Sequence, residues 1–235
     1  DRGVQHLVDT LRATGQLDHT YVVFASDNGF HLGQHRMPAG KQTAYETDIR
    51  VPLMVRGPGI RAGTHVRQLA GNIDLAPTFE AMTGVRPARF TDGRSLLPIL
   101  RGSQPARCRN SYLIEHRTET GVTPGRPRAD APSPLEPPDP EQVAAGRQPR
   151  RREIRDNYLL VRLGEIPDYD AIRTTRYLYV EYANGERELY DTRTDPDEID
   201  NLAGRTHGAI ERTLATRLHQ LERCQAASCR TIENR

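Results

Sequence analysis

The residues best suited to chemistry lie in one stretch, Phe24 to Lys41, FASDNGFHLGQHRMPAGK. Asp27 offers a carboxylate and Asn28 an amide carbonyl, hard oxygen donors of the kind taken by Ca²⁺ or Mg²⁺. Gly29 lets the backbone turn sharply after them. The same three residues would equally satisfy an Asx-type turn capping a strand. Lys41 closes the stretch and is the only lysine among 33 Lys and Arg residues. Generic cation positions in this chain therefore accept arginine. A lone lysine points to a place that needs a compact ammonium with three donors, where a planar fork will not fit. Such a group meets a tetrahedral anion as a point charge. Metal-binding oxygens beside an anion-binding lysine make a coherent site for a phosphate or sulfate ester. The alternative is that Lys41 is a chance survivor.

Other motif readings fail. GQHRMPAGKQ is no P-loop, since six residues separate Gly33 from Gly40 and Gln42 follows Lys41 where Ser or Thr should stand. His31 and His35 are four apart, but HLGQH lacks the Glu of H-E-x-x-H. Gly33 and Pro38 also argue against a helix that would put both histidines on one face. GPGIRAG has the wrong glycine spacing for a dinucleotide fingerprint. Of three cysteines, Cys224 and Cys229 enclose only small or polar residues. A local disulfide stapling the tail, in an oxidising compartment, competes with two ordinary thiols. Zinc would need more ligands than that stretch offers.

These side chains need elements to hold them. Val4, Leu7, Val8 and Leu11 recur at helical spacing, and the helix should end at TGQ. TYVVFA (20–25) reads as a buried parallel strand. Helix, turn, strand and loop in that order suit an open α/β sheet, where ligands bind beyond the carboxyl ends of strands. Residues 26–29 fall at that edge. A second strand is expected over 51–57, and a helix over 73–85 with Asp74 near its start and Gly84 at its end. Residues 92–102 read as a loop and short helical turn, and 111–116 as a strand. Residues 120–150 hold eight of the 17 prolines and no aromatic residue, the composition of a loosely held insertion. NYLLVRL, RYLYVEYANG and ERELYD then predict a small antiparallel sheet, with a hairpin turn at Asn184-Gly185. A turn-rich connection follows, and 207–223 form a closing helix with Ile210, Leu214 and Leu218 on one stripe.

With 235 residues the chain suits one large domain, alone or with a small appendage. A formal net charge of +2 is too balanced to imply a nucleic-acid or membrane surface. No apolar run approaches the 18 residues of a membrane span. The first residues show no signal-peptide core and no Met, and a helical pattern is already under way, so the chain is expected to begin within a domain.

The stretch TYVVFASDNGFHLGQHRMPAGKQTAYETDIRVPLMVRGPGI resembles the second signature region of type I sulfatases, formylglycine-dependent enzymes of the alkaline phosphatase superfamily. The long spacer HLGQHRMPAGK and ETDIRVPLMVRGPGI are most similar to N-acetylglucosamine-6-sulfatase-like members. NIDLAPTFEAMTGV, DGRSLLPILRG, RTTRYLYVEYANGERELYDTRTDPDEIDNLA and CQAASC continue the resemblance, which spares only 118–152. It implies the C-terminal part of an alkaline-phosphatase-like α/β domain over 1–110. A subdomain over 111–235 would add a small antiparallel sheet and a packed helix. It implies sulfuric ester hydrolysis on a sulfated carbohydrate such as N-acetylglucosamine 6-sulfate, by a secreted, extracellular or periplasmic enzyme with no nucleic-acid or membrane partner.

By position, the resemblance makes Asp27 and Asn28 ligands of an active-site Ca²⁺ and Lys41 the contact to the sulfate ester. His31 and His35 become substrate-pocket or structural residues, and His116 faces the pocket. The family's nucleophile is a Cys or Ser in C/S-x-P-x-R, converted to formylglycine, and none of the three cysteines fits. The paired aspartates that complete the metal shell are also absent. The chain is therefore expected to hold part of a site without its nucleophile. Two alternatives are a non-catalytic remnant or sugar-binding module, and a phosphodiesterase or phosphonate hydrolase. The latter would carry Asp-His where this chain has Asp27-Asn28.

Overall fold

The computed structural model describes residues 1–86, 88–103, 108–117, 166–205 and 208–234. Helix α1 (Arg2–Ala13) follows the apolar stripe and stops at Thr14, ahead of Gly15 at φ +69°. Strand β1 (Val22–Ala25) pairs antiparallel with β2 (Leu53–Arg56), Val22 opposite Arg56 and Ala25 opposite Leu53. This corrects the expectation of a buried parallel strand. An unbroken apolar run signals two covered faces. Among the described residues β1 has only one neighbouring strand, and Phe24 and Met54 stay 46% and 59% exposed.

Between β1 and β2 the chain makes a long excursion that includes the short helix α2 (Glu46–Ile49). After β2, a 3₁₀ turn at Asn72–Asp74 leads into α3 (Leu75–Thr83), closed by Gly84 at φ +78° as its left-handed cap requires. The one-turn helix α4 (Leu97–Leu100) is tied to α3 by Thr78, whose Oγ1 accepts from Leu96 N at 2.8 Å.

The second half is a four-stranded antiparallel sheet in the order β3 (Ser111–His116), β4 (Tyr169–Thr174), β5 (Tyr177–Tyr182), β6 (Arg187–Asp191). Gly185 at φ +89° makes the expected turn between β5 and β6. Strand β4 had no counterpart in the sequence reading, because Asp170 and Arg173 interrupt the apolar pattern of YDAIRT. The strand expected at NYLLVRL and the proline-rich insertion lie outside the described residues. Alternation along the sheet divides its side chains cleanly. Tyr169, Ala171, Leu178, Val180 and Tyr190 pack with Ala44 and Tyr45 on one face. Ile172, Tyr179 and Leu189 pack on the other with Leu214, Leu218 and Leu221 of α5 (Gly208–Leu221), the expected closing helix. A disulfide joins Cys224 to Cys229, which lies in α6 (Ala227–Glu233), a helix unforeseen from sequence. Among the described residues no helix is long and apolar enough to cross a membrane.

Candidate active site

The loop after β1 is built by its own short-range bonds. Asn28 N donates to Asp27 Oδ1 at 2.8 Å, and Ser26 Oγ to Asn28 O at 2.8 Å. The Asp27 bond reaches the next residue and not the second one on, so it is not the Asx-type turn, and it leaves the other carboxylate oxygen for a metal. Gly29 is required, but for a different reason than a turn. A Cβ there would lie 2.0 Å from Thr47 O, because Gly29 N donates to Asp48 O at 2.7 Å and draws α2 against the loop. The need is close approach, not a left-handed φ.

The spacer to Lys41 is a hairpin. His31 N donates to Gly40 O at 2.9 Å and Gly40 N to His31 O at 3.0 Å. This pairing folds residues 32–39 outward and returns Lys41 to Asn28, whose Oδ1 accepts from Lys41 Nζ at 3.2 Å. Asp48 pins the base of the hairpin from a buried position. Its carboxylate accepts from His31 Nδ1 at 2.9 and 3.0 Å, from Thr43 N at 2.9 Å and from Thr43 Oγ1 at 2.7 Å. With only 3% of His31 exposed, its ring is a brace between hairpin and helix.

His35 stands apart from that brace. Its ring stacks on Tyr45 with centroids 3.8 Å apart and planes within 8°. Burial lowers its pKa from the ordinary imidazole value, and His31 nearby lowers it further against the pull of Asp195. Tyr45 in turn donates to Glu188 of β6 at 3.1 Å. His116, at the end of β3, lies 5.4 Å from the Tyr169 ring, and Tyr169 Oη donates to Gln42 O, the residue after Lys41, at 3.0 Å. The apolar face of the sheet thus touches both ends of the Lys41 segment. His31 braces the segment, His35 stacks on Tyr45, and His116 packs on Tyr169, which in turn contacts Gln42.

Asp27 and Asn28 suit a hard cation in kind. The second Asp27 oxygen is not used by the Asn28 N–H bond, and Asn28 Oδ1 keeps a lone pair beyond the Lys41 bond. They fall short in number, since Ca²⁺ takes six to eight oxygens. Among the described residues no three His, Cys, Asp or Glu side chains converge to hold a metal. Sequence reasoning missed Asp48, Thr43 and Asn72 altogether. Only the D of YETDIR, placed at helical spacing from Tyr45, hinted at the first.

One sequence expectation needs correction. The cysteines do not fit C/S-x-P-x-R, but Ser103-Gln104-Pro105-Ala106-Arg107 spells it. Residues 104–107 lie outside the described residues. Ser103 is exposed after α4, and Arg101 beside it donates to Tyr21 Oη at 2.8 Å. Tyr21 immediately precedes β1, and Asp27 lies in the loop beyond its other end.

Residues 1–85 match the family model described as Sulfatase. The chain is 35% identical to human N-acetylglucosamine-6-sulfatase, over 97% of this chain and 40% of the relative. Its fold is similar to that of BT4656 solved in complex with its substrate D-glucosamine-2-N,6-O-disulfate, with TM-score 0.71 and 26% identity over 94% of this chain and 37% of that one. A phosphonate monoester hydrolase from Silicibacter pomeroyi gives TM-score 0.68 and 27% identity over 96% and 39%. The chain thus spans about 40% of the length of the curated relatives it matches.

Proposed function

Because this chain belongs to the sulfatase family, and its fold is the alkaline-phosphatase-like α/β fold of sulfatases, we propose that it carries one wall of the active site of a sulfuric ester hydrolase. The substrate is a sulfated carbohydrate with the chemistry of N-acetylglucosamine 6-sulfate. The observation that carries the reading is the contact of Lys41 Nζ with Asn28 Oδ1 at the end of β1, a point charge against a metal-type oxygen. In this reading 1–110 belong to the catalytic α/β domain and 111–235 to the subdomain behind it.

Bound Ca²⁺, held by Asp27 and Asn28 together with ligands from outside these residues, would neutralise sulfate oxygens. The chain's own part is electrostatic and positional. Lys41 brings its ammonium charge, anchored on Asn28, to the ester where negative charge develops on the leaving oxygen. Asp48, through His31 and Thr43, stops the hairpin from swinging that ammonium away. Holding it in place in advance is what makes one charge effective. His35 and His116 border the segment and are proposed to meet the sugar. The Cys224–Cys229 disulfide supports secretion to an oxidising compartment.

The test is to express the complete gene product, assay N-acetylglucosamine 6-sulfate with and without Ca²⁺, and sequence its peptides by mass spectrometry. Ca²⁺-dependent release of sulfate, with formylglycine at a residue outside this chain, is the expected result. Turnover of a phosphonate monoester without sulfate release would favour the hydrolase alternative. Formylglycine at Ser103 would overturn the assignment of the nucleophile.

A further inference from the structure

Asn72 lies far from the candidate site in sequence but grips it directly. Its Nδ2 donates to Ser26 O at 3.1 Å and to Asp27 O at 2.9 Å, across 46 and 45 residues. Those carbonyls flank the side chain of Asp27, so their position sets where its carboxylate can point. Asn72 itself is exposed on a single 3₁₀ turn, an element with little rigidity of its own.

The turn is held from beneath by a buried chain of charges. Gly71 N donates to Asp74 Oδ2 at 3.0 Å and Asp74 N to Gly71 O at 2.9 Å, closing the turn on itself. The Asp74 carboxylate is fully buried and also accepts from Arg94 N at 2.8 Å and from both terminal nitrogens of Arg109. Arg109 Nε lies 3.0 Å from Glu233 Oε2, an ion pair without hydrogen-bond alignment, and Arg94 Nη2 meets the same oxygen. Burial disfavours the Arg109 charge, and the Asp74 contacts restore it until its pKa stands above the ordinary value.

Glu233 is the last residue of α6, and its neighbours close the same contact. Asn110 N donates to Glu233 O at 2.7 Å, and Arg94 Nη1 donates to Asn234 Oδ1 at 2.6 Å. The turn is confined from two further sides. A Cβ on Gly71 would stand 2.0 Å from Tyr112 Oη, and one on Gly93 2.0 Å from Ile73 O. Buried charges in such an arrangement are poor stabilisers compared with apolar packing, but they hold one geometry stiffly.

We propose that Asn72 is a positioning residue for the Asp27–Asn28 turn, held in place by α6 through Glu233, Arg109 and Asp74. The inference rests on Asp27 and Asn28 being metal ligands only for its effect on affinity. Its effect on the turn is independent of metal. The tail helix is thereby a working part of the site, although Asp27 and Glu233 lie 206 positions apart.

The test uses the complete gene product with Asn72→Ala, Asn72→Asp and Asn72→His, all at an exposed position that folding tolerates. Asp keeps the shape of Asn and loses the donor, while His Nδ1–H stands where Asn Nδ2 did. Without metal, amide exchange over residues 26–29 should rise about tenfold in the Ala and Asp variants and return to within about threefold of wild type in His, while the sheet over 169–191 is unaffected. The Ca²⁺ Kd measured by calorimetry should weaken about tenfold or more in Ala and Asp, as for other residues that orient ligands. Glu233→Gln, with Asn234→Ala as a milder cut at the same contact, should loosen 71–74 and 26–29 together. An Asn72→Asp protein that exchanges like wild type would mean that Asn72 only fills space, and the inference falls. Unchanged exchange at 71–74 in both tail variants overturns the role of α6. Looser turns in a protein that binds no Ca²⁺ even as wild type would uphold the positioning role and sink the calcium reading instead.

Discussion

Lys41 is the residue on which the proposed chemistry turns. Its Nζ sits 3.2 Å from Asn28 Oδ1, at the foot of a hairpin that Asp48 holds shut. An arginine could keep the charge but would spread it over a longer planar fork that this corner does not match. Lys41→Arg should therefore cost the complete enzyme nearly as much in kcat/KM as Lys41→Ala, about 2–4 kcal/mol of transition-state stabilisation. Steady-state kinetics of the two variants settles it, and an Arg variant at full rate would show the lone lysine to be an accident. Asp48 deserves the same scrutiny. Asp48→Ala strands buried donors on His31 and Thr43 and should lower stability by about 1–3 kcal/mol in denaturant unfolding.

Among the elements, the connection after β6 does more than its turn-rich sequence suggests. Glu198 is buried at φ +55°, its Oε2 accepts from Glu46 N at 2.8 Å and its Oε1 has no hydrogen-bond partner. It caps α2, the helix that carries Asp48. Arg173 of β4 secures the same helix through Glu46 Oε1 at 2.6 Å. Burial pushes the Glu198 pKa up to about 7, against the opposing pull of the Glu46 N–H bond and with a smaller push from the Glu46 carboxylate. A carboxyl raised in the folded state contributes stability that is complete below its unfolded value near 4.5 and is lost as pH rises through about 7. Glu198→Gln should match wild type in Tm at pH 4.5 and exceed it at pH 8. The difference between the two proteins is the quantity to follow, since Asp191 is shifted the opposite way by its bond to Arg176. A constant difference across that range would show that Glu198 is ionised in the fold.

At the scale of the molecule, the four-stranded sheet works on both faces. One face carries Tyr169, Tyr190 and Leu178 against the Lys41 segment, and the other is covered by α5. Leu218 of α5 is fully buried against the second face, so Leu218→Ala should cost about 2–5 kcal/mol. If the sheet positions the loop, that loss should appear in the loop's amide exchange as well as in the melting curve. Two metal-type oxygens and one ammonium do not make a hydrolase without a nucleophile. Residues 1–235 expressed alone should therefore release no sulfate from an aryl sulfate with Ca²⁺ present. Turnover above a Lys41→Ala control would place the missing chemistry inside these residues, with Ser103 the first to examine.

What the sequence determined by itself was local. Asp27, Asn28 and Lys41 stood out because residue type and count carry chemical meaning before folding. The ends of α1 and α3 and the Asn184-Gly185 turn followed from glycine's access to positive φ. Strand pairing did not follow, because an apolar run says that a strand is covered and not by what, and β1 proved antiparallel and half exposed. Nor could spacing find Asp48, Asn72 or Glu233. Each acts through a partner 17, 45 or more than 120 residues away, and only the packed chain brings a carboxylate to His31, an amide to Asp27 or a tail helix to Arg109. Hydrogen bonds and ion pairs are short-ranged, so the fold alone decides which of the many distant acids and amides become parts of the site.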